Sequence, residues 1–142
     1  MVPVAAGQAR LLGEIYARTQ YDRNRIFYVE AHGIGTQVGD PTEANAIGEF
    51  FQRSPFDPPL LIGSIKSNIV HTEGTAGIAS LIKTIMCMKH RAIPPNIHFM
   101  AYNPKIKADR FNMHVIQTMT VFPPINTDGE KEHTVAIGIS SF

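Results

Sequence analysis

The chain has 142 residues, enough for one domain of ordinary size, and 44% of them are hydrophobic while 18% are charged. A formal net charge of +1 gives no reason to expect a nucleic acid or an anionic membrane as partner. A single cysteine excludes an internal disulfide and fits a reducing compartment, and no run approaches the roughly 20 apolar residues that span a bilayer. Since residues 1–6 also lack the charged start of a signal peptide, we expect a soluble, cytoplasmic protein.

The first half of the chain predicts helices alternating with strands. Residues 8–19 carry apolar side chains at helical spacing, and Ile26–Val29 is a short apolar run typical of a strand buried on both faces of a parallel sheet. A second helix is predicted to open with Asp40 as its cap and Glu43 reaching back as in a capping box. Its buried stripe is expected to consist of Ala44, Ile47, Phe50 and Phe51.

The second half continues with a predicted strand over Leu60–Ile65 and a strongly apolar helix over residues 75–90. Because that helix is apolar around most of its circumference, we expect it inside a protein, with Cys87 as an inert core thiol. Its apolar side is predicted to comprise Ile78, Leu81, Ile82, Ile85 and Met88. An irregular loop, one or two strands, a turn-rich connection and a last strand are predicted at residues 96–110, 111–121, 123–132 and 134–140. This alternation indicates an α/β layered fold.

Two glycine-rich loops carry a histidine soon after a predicted strand. The first loop contains His32, and the second, residues 63–77, contains Lys66, His71 and Glu73. Because the carboxyl ends of parallel strands meet at one edge of a sheet, we expect the two histidines to lie at a common site. Glycines in both loops allow the backbone to approach a bound group closely.

The residues of both loops form recognisable motifs. Residues 30–36 read Glu-Ala-His-Gly-Ile-Gly-Thr, and residues 66–74 read Lys-Ser-Asn-Ile-Val-His-Thr-Glu-Gly. Both resemble motifs of the β-ketoacyl synthase (ketosynthase) family, the condensing enzymes of fatty-acid and polyketide synthesis. They differ from the family pattern at Ile34, where the family has threonine, and at Val70, where it has glycine. The likeness runs from about residue 8 to the last residue and is greatest to ketosynthases of modular or multidomain polyketide or fatty-acid synthases.

The resemblance implies a thiolase-like fold, an α/β layered fold of two similar halves, of which residues 1–142 would form the C-terminal half as a single partial domain. It also implies that the nucleophilic cysteine belongs to an N-terminal half. Substrates of the family are carried on the phosphopantetheine arm of acyl-carrier protein, so no bound cofactor is expected. The expected partners are acyl-carrier protein, the remaining ketosynthase half or other synthase domains, and a second copy, since the family is usually homodimeric.

The same resemblance implies roles for five residues. His32 and His71 would donate N–H hydrogen bonds to the thioester oxygen that becomes negative on decarboxylation. Lys66, expected to pair with Glu73, would set the electrostatics of the site, and Thr36 would hydrogen-bond the phosphopantetheine arm. The other histidines have no paired motif, show no zinc-ligand spacing and are expected to be ordinary surface or core groups: His90, His98, His114 and His133.

The two departures from the family pattern leave two hypotheses open. Ile34 lacks a hydroxyl that would bond the phosphopantetheine arm, and Val70 would be a misfit if its backbone required a positive φ. One hypothesis is a ketosynthase part that performs decarboxylative Claisen condensation of acyl and malonyl thioesters. The other is a degenerate, non-catalytic module that binds acyl-carrier protein or neighbouring synthase domains. The intact residues His32, Lys66, His71 and Glu73 favour the first, and the two substitutions together with the missing nucleophile favour the second.

Overall fold

A computed structural model describes residues 5–124 and 135–141 of the chain. Its helices are α1 (Ala5–Thr19), α2 (Gly39–Phe51), α3 (Lys66–Ile69) and α4 (Ala76–His90). Its strands are β1 (Ile26–Glu30), β2 (Leu60–Gly63), β3 (Ala92–Ile93), β4 (Met113–Val115), β5 (Thr120–Val121) and β6 (Ala136–Ile139). The predicted helices and strands occur in the predicted order, with two strands between residues 111 and 121, but α3 and β3 were not predicted. Most of the predicted turn-rich connection, together with His133 and Thr134, lies outside the described residues.

Four strands form a parallel sheet in the spatial order β4–β2–β1–β6, and β3 pairs antiparallel with β5 in a separate ribbon. Glu30, the last residue of β1, lies opposite Gly63, the last residue of β2. The chain therefore leaves both strands at the same edge of the sheet, as predicted, and the loops that follow carry the two histidines. On the other side of β1, Val29 pairs with Gly138 of β6.

Helices cover both faces of this sheet. On one face, Val29 belongs to a core cluster with Ile47 and Phe51 of α2, and α1 packs on α2. On the opposite face, Tyr28 belongs to a second cluster with Cys87 of α4. Since neighbouring residues of β1 enter different clusters, the strand is buried on both faces, which confirms the prediction from its apolar run.

The start of α2 differs from the predicted capping box. The helix begins at Gly39, its N-cap residue is Val38, and the Gly39 N–H donates to Thr36 Oγ1 in the preceding loop at 2.9 Å. Asp40 therefore lies inside the first turn, where its carboxylate accepts a hydrogen bond from the Gly35 N–H at 3.0 Å. Glu43 also turns its carboxylate away from the helix start and towards the loop after β1. The predicted caps at Asp40 and Glu43 are wrong because the helix starts before Asp40.

Helix α4 turns its polar side towards the rest of the protein. Its buried residues are Ala76, Ser80, Lys83, Thr84 and Cys87. The residues predicted to form its apolar side are 45–61% exposed: Ile78, Leu81, Ile82, Ile85 and Met88. Within the described chain this apolar side is therefore bare, as expected if residues 1–142 form only part of a layered fold. The side that lies against the sheet carries Lys83, whose Nζ forms an ion pair with Glu30 Oε2 at 2.7 Å. None of the helices in the described ranges is long and apolar enough to cross a bilayer.

Candidate active site

The loop after β1 passes very close to the end of β2. Gly33 has a φ of 51°, and a Cβ atom at this position would lie 2.8 Å from the Cβ of Ser64. Any other residue would therefore be strained both in its backbone and in its contact with Ser64. This close approach brings the peptide of His32 against the start of α3, which carries Lys66.

Glu43 holds the peptide groups of this loop. One carboxylate oxygen accepts a hydrogen bond from the His32 N–H at 2.6 Å, and the other accepts one from the Gly33 N–H at 2.8 Å. The side chain is 5% exposed, and burial raises the pKa of its carboxyl while these two hydrogen bonds act in the opposite direction. Sequence reasoning assigned Glu43 to a helix cap and missed this role, although its place in the first turns of α2, directly after the loop, was the available signal.

Lys66 lies on the other side of the same peptide. Its side chain is 9% exposed, and its Nζ donates a hydrogen bond to the backbone carbonyl of His32. Burial lowers the pKa of this ammonium, against the effect of the Glu43 and Glu30 carboxylates. The backbone on both sides of His32 is therefore fixed by side chains from α2 and α3.

The predicted pairing of Lys66 with Glu73 is wrong. The two side chains form no ion pair in the described part of the chain, and Glu73 is exposed while Lys66 is buried. Lys66 lies on the buried side of α3 and contacts the His32 loop, whereas Glu73 begins a separate 3₁₀ turn over Glu73–Thr75. The contribution of Glu73 to the site comes from its backbone, because its N–H donates to His71 Nδ1 at 3.2 Å.

The two histidines lie together as the sequence predicted. The ring centroids of His32 and His71 are 5.8 Å apart and their planes are nearly perpendicular, at 88°. Since His71 Nδ1 accepts a hydrogen bond, the proton of its neutral ring lies on Nε2, which is then a donor. Burial, and then the positive charge of Lys66 and the neighbouring His71, lower the pKa of His32, which keeps this imidazole neutral at pH 7. The arrangement therefore places two imidazole rings side by side at one edge of the sheet.

Val70, directly before His71, adopts a backbone conformation that suits glycine. Its φ is 67° and its ψ is 177°, a region that non-glycine residues rarely occupy. The side chain is 75% exposed, so little packing compensates for this strain. Of the two cases that the sequence left open, the structure has the one in which valine is a misfit.

A cleft of about 540 Å³ lies beside His71, and both departures from the ketosynthase pattern, Ile34 and Val70, contribute to its wall. Phe99 and Tyr102, from the irregular loop after β3, also line it. Thr36 is exposed just before α2, with its Oγ1 accepting a hydrogen bond from the Gly39 N–H. Its contact with a phosphopantetheine arm stays a prediction.

Cys87 lies away from this site, in the core between α4 and the sheet. It is 3% exposed, and burial raises the pKa of its thiol, so it has the character of the inert core thiol that the sequence predicts. Residues 5–124 and 135–141 contain no group of three or more histidine, cysteine, aspartate and glutamate side chains that could hold a metal ion.

Comparison with known sequences agrees with the geometry of the site. Residues 1–100 match the family described as "Beta-ketoacyl synthase, C-terminal domain". The chain is 43% identical over 143 residues to one subunit of the phenolphthiocerol/phthiocerol polyketide synthase of Mycobacterium tuberculosis, covering 100% of this chain and 7% of that protein. It is 39% identical over 144 residues to highly reducing polyketide synthase 19 of Pyricularia oryzae, covering 99% of this chain and 6% of that protein.

Solved structures give the same result. Ketosynthase twelve of the bacillaene polyketide synthase in Bacillus amyloliquefaciens matches with a TM-score of 0.87 at 32% identity, covering 99% of this chain and 24% of that chain. An oxazolomycin ketosynthase domain of Streptomyces albus matches with a TM-score of 0.89 at 30% identity, again covering 99% of this chain and 24% of that chain. The predicted thiolase-like α/β fold is thus confirmed, over about a quarter of the solved ketosynthase chains. The chain belongs to the β-ketoacyl synthase family and corresponds to its C-terminal domain.

Proposed function

We propose that this chain is the histidine-bearing part of a condensing enzyme that joins acyl and malonyl thioesters in polyketide synthesis. The observation that carries the proposal is the pair of imidazoles of His32 and His71, 5.8 Å apart, with the proton of neutral His71 on Nε2. Two adjacent imidazoles that each donate an N–H would suit an oxygen that becomes negative during the reaction.

The reaction assigned to this pair begins with the loss of carbon dioxide from a malonyl thioester. The bond between the carboxylate carbon and the α-carbon breaks, and its electron pair forms an enolate whose charge lies on the thioester oxygen. Hydrogen bonds from His32 and His71 stabilise that oxygen. The enolate carbon then attacks an acyl thioester on a cysteine of the ketosynthase part that precedes this region, and the cysteine leaves as a thiolate.

Lys66 supports this role through its contact with the His32 peptide. Its ammonium donates to the His32 carbonyl and lowers the pKa of the His32 imidazole, after burial. A neutral imidazole has only one N–H, so fixing the backbone of His32 restricts where that donor points. Glu43 adds to this restriction through the His32 and Gly33 N–H groups.

The partners follow from the proposed substrates. Acyl and malonyl groups would arrive on the phosphopantetheine arm of acyl-carrier protein, with Thr36 as a hydrogen-bonding residue for the arm. The chain spans 7% of one curated relative and 24% of a solved ketosynthase chain, and both names refer to polyketide synthases. We therefore propose other synthase domains, the rest of a ketosynthase and a second copy of it as partners, in the cytoplasm, with no tightly bound cofactor.

The test uses a hybrid ketosynthase in which this chain replaces the matching part of a solved ketosynthase. Release of carbon dioxide from a malonyl thioester should fall about 10²–10³-fold in His32→Ala and in His71→Ala, because each change removes an N–H donor. His114→Ala is the matched control, since this histidine is exposed on β4 and outside the cleft. Equal rates in all three variants and the unmodified hybrid would refute the role of the pair.

The second candidate function is a non-catalytic module that binds acyl-carrier protein. The strained backbone of Val70 and the apolar side chain of Ile34, both at the cleft, favour it. A hybrid that binds acyl-carrier protein but releases no carbon dioxide, and regains release in Ile34→Thr/Val70→Gly, would identify these two residues as the cause of inactivity. Carbon dioxide release by the unmodified hybrid would exclude this candidate.

A further inference from the structure

Three buried side chains form a cluster at the carboxyl end of β1: Tyr28, Glu30 and Lys83. Tyr28 and Glu30 are 0% exposed and Lys83 is 7% exposed. Lys83 Nζ donates to Glu30 Oε2 at 2.7 Å and to the Tyr28 hydroxyl at 2.9 Å, and that hydroxyl donates to the same Glu30 oxygen at 2.5 Å. Burial and the charge of Glu30 raise the pKa of Tyr28, so the phenol stays neutral and able to donate.

The second oxygen of the Glu30 carboxylate reaches across to the other histidine loop. Glu30 Oε1 accepts a hydrogen bond from the Ile65 N–H at 2.6 Å, and Ile65 directly precedes Lys66. In the reverse direction, Lys66 Nζ donates to the carbonyl of His32. One link thus runs from β1 to the start of α3, and the other runs from α3 back to the loop after β1.

We propose that Glu30 is a positioning residue that fixes the separation of His32 and His71, with Lys83 and Tyr28 holding its carboxylate in place. This inference rests on the proposed condensing function. A buried carboxylate needs a charged or hydrogen-bonding partner, and Lys83 and Tyr28 supply both on one oxygen. The other oxygen is then left for Ile65, so the start of α3 cannot move along β1 without losing that bond.

The cluster also explains why α4 turns its polar side to the sheet. Lys83 lies on the helix that follows the His71 loop, so its ion pair with Glu30 fixes the far end of that loop as well. The loop with His71 is therefore held at its start by the Ile65 bond and at its end by Lys83. A shift of about 1 Å in a catalytic group lowers a rate by as much as 10²-fold, which gives such positioning a measurable effect.

The test compares two double variants in the hybrid ketosynthase, both without the buried charges. Glu30→Gln/Lys83→Met keeps an oxygen that can accept from the Ile65 N–H, whereas Glu30→Leu/Lys83→Met has no acceptor there. The kcat for malonyl decarboxylation should be roughly 10- to 100-fold lower in the leucine variant than in the glutamine variant, with KM unchanged. Thr84→Val is the control, since Thr84 is also buried next to Lys83, but its hydroxyl donates to the Ser80 carbonyl of its own helix.

Crystal structures of both double variants test the same inference without activity. The His32 and His71 ring centroids should stay at 5.8 Å in the glutamine variant and move apart in the leucine variant. Equal kcat in two folded variants, or a ring distance that is the same in both, would overturn the positioning role. If the unmodified hybrid released no carbon dioxide, the proposed function would fail, and the ring distances would still decide whether Glu30 positions the pair.

Discussion

Replacing Val70 by glycine should stabilise the chain, because it removes backbone strain at little cost in packing. A non-glycine residue with φ of 67° and ψ of 177° costs about 1–3 kcal/mol. Against this, glycine gives the unfolded chain more conformational entropy, which lowers the free energy of unfolding by about 0.5–1 kcal/mol. Since Val70 is 75% exposed, the loss of its buried apolar surface lowers the free energy of unfolding by only about 0.5 kcal/mol more. The net effect is a stabilisation of roughly 1 kcal/mol.

Val121→Gly is the matched control for this change. Val121 is 74% exposed and does not have a positive φ, so it loses the same packing and gains the same freedom without any relief of strain. Urea unfolding at low protein concentration, followed by circular dichroism, should give Val70→Gly a free energy of unfolding at least about 1 kcal/mol above that of Val121→Gly, because only Val70→Gly relieves strain and only Val121→Gly puts glycine in a strand. Equal destabilisation of both variants would refute the strain.

In the hybrid ketosynthase, Val70→Gly should also raise decarboxylation if the strain displaces His71, and an unchanged rate would show that valine is accommodated.

Three further predictions concern the chain as it stands. The exposed apolar side of α4, which includes Ile82 at 56% exposure, should make the isolated chain self-associate. A monomer in light scattering, together with a sharp thermal unfolding transition, would contradict this. The isolated chain should form no carbon–carbon bond, because its only thiol, Cys87, is buried; radiolabelled acyl thioester that labels Cys87 and gives a β-ketoacyl product would overturn this. The free energy of unfolding should fall as the pH drops below 6.5, because the lowered pKa of His32 in the folded chain makes the unfolded chain bind the proton first. Denaturation at several pH values should show that the free energy of unfolding depends less on pH in His32→Gln. An identical pH dependence in the two proteins would contradict the assignment.

The convergence of the two loops was predictable from sequence because it depends on strand order and on local motifs. Apolar runs predicted β1 and β2 as parallel strands, and this alone places His32 and His71 at one edge of the sheet. The side-chain partners were not predictable in the same way. Lys66 bonds the His32 carbonyl and not Glu73, because the buried side of the short helix α3 decides where its ammonium points.

The orientation of α4 shows a second limit of sequence reasoning. Hydrophobic periodicity predicts that the side containing Leu81 and Ile85 is buried, since it scores each residue by its own polarity. The side that packs on the sheet instead carries Lys83, which pairs with Glu30, 53 positions away in the chain. The positive φ of Val70 could not be predicted either, because a valine side chain does not indicate which backbone conformation its position requires.

The pairing of β1 with β6 has a consequence for how the chain folds during synthesis. Val29 pairs with Gly138, so one edge of β1 has no strand beside it until nearly all of the described chain has been translated. At about 5–20 residues per second, the roughly 100 intervening residues take on the order of 5–20 s to synthesise. During that interval β1 and β2 can already pair, but the open edge of β1 is a template for strands of other nascent chains. Slow codons between the two strands would lengthen this exposure, and a chaperone that covers the edge would have to release it when β6 emerges.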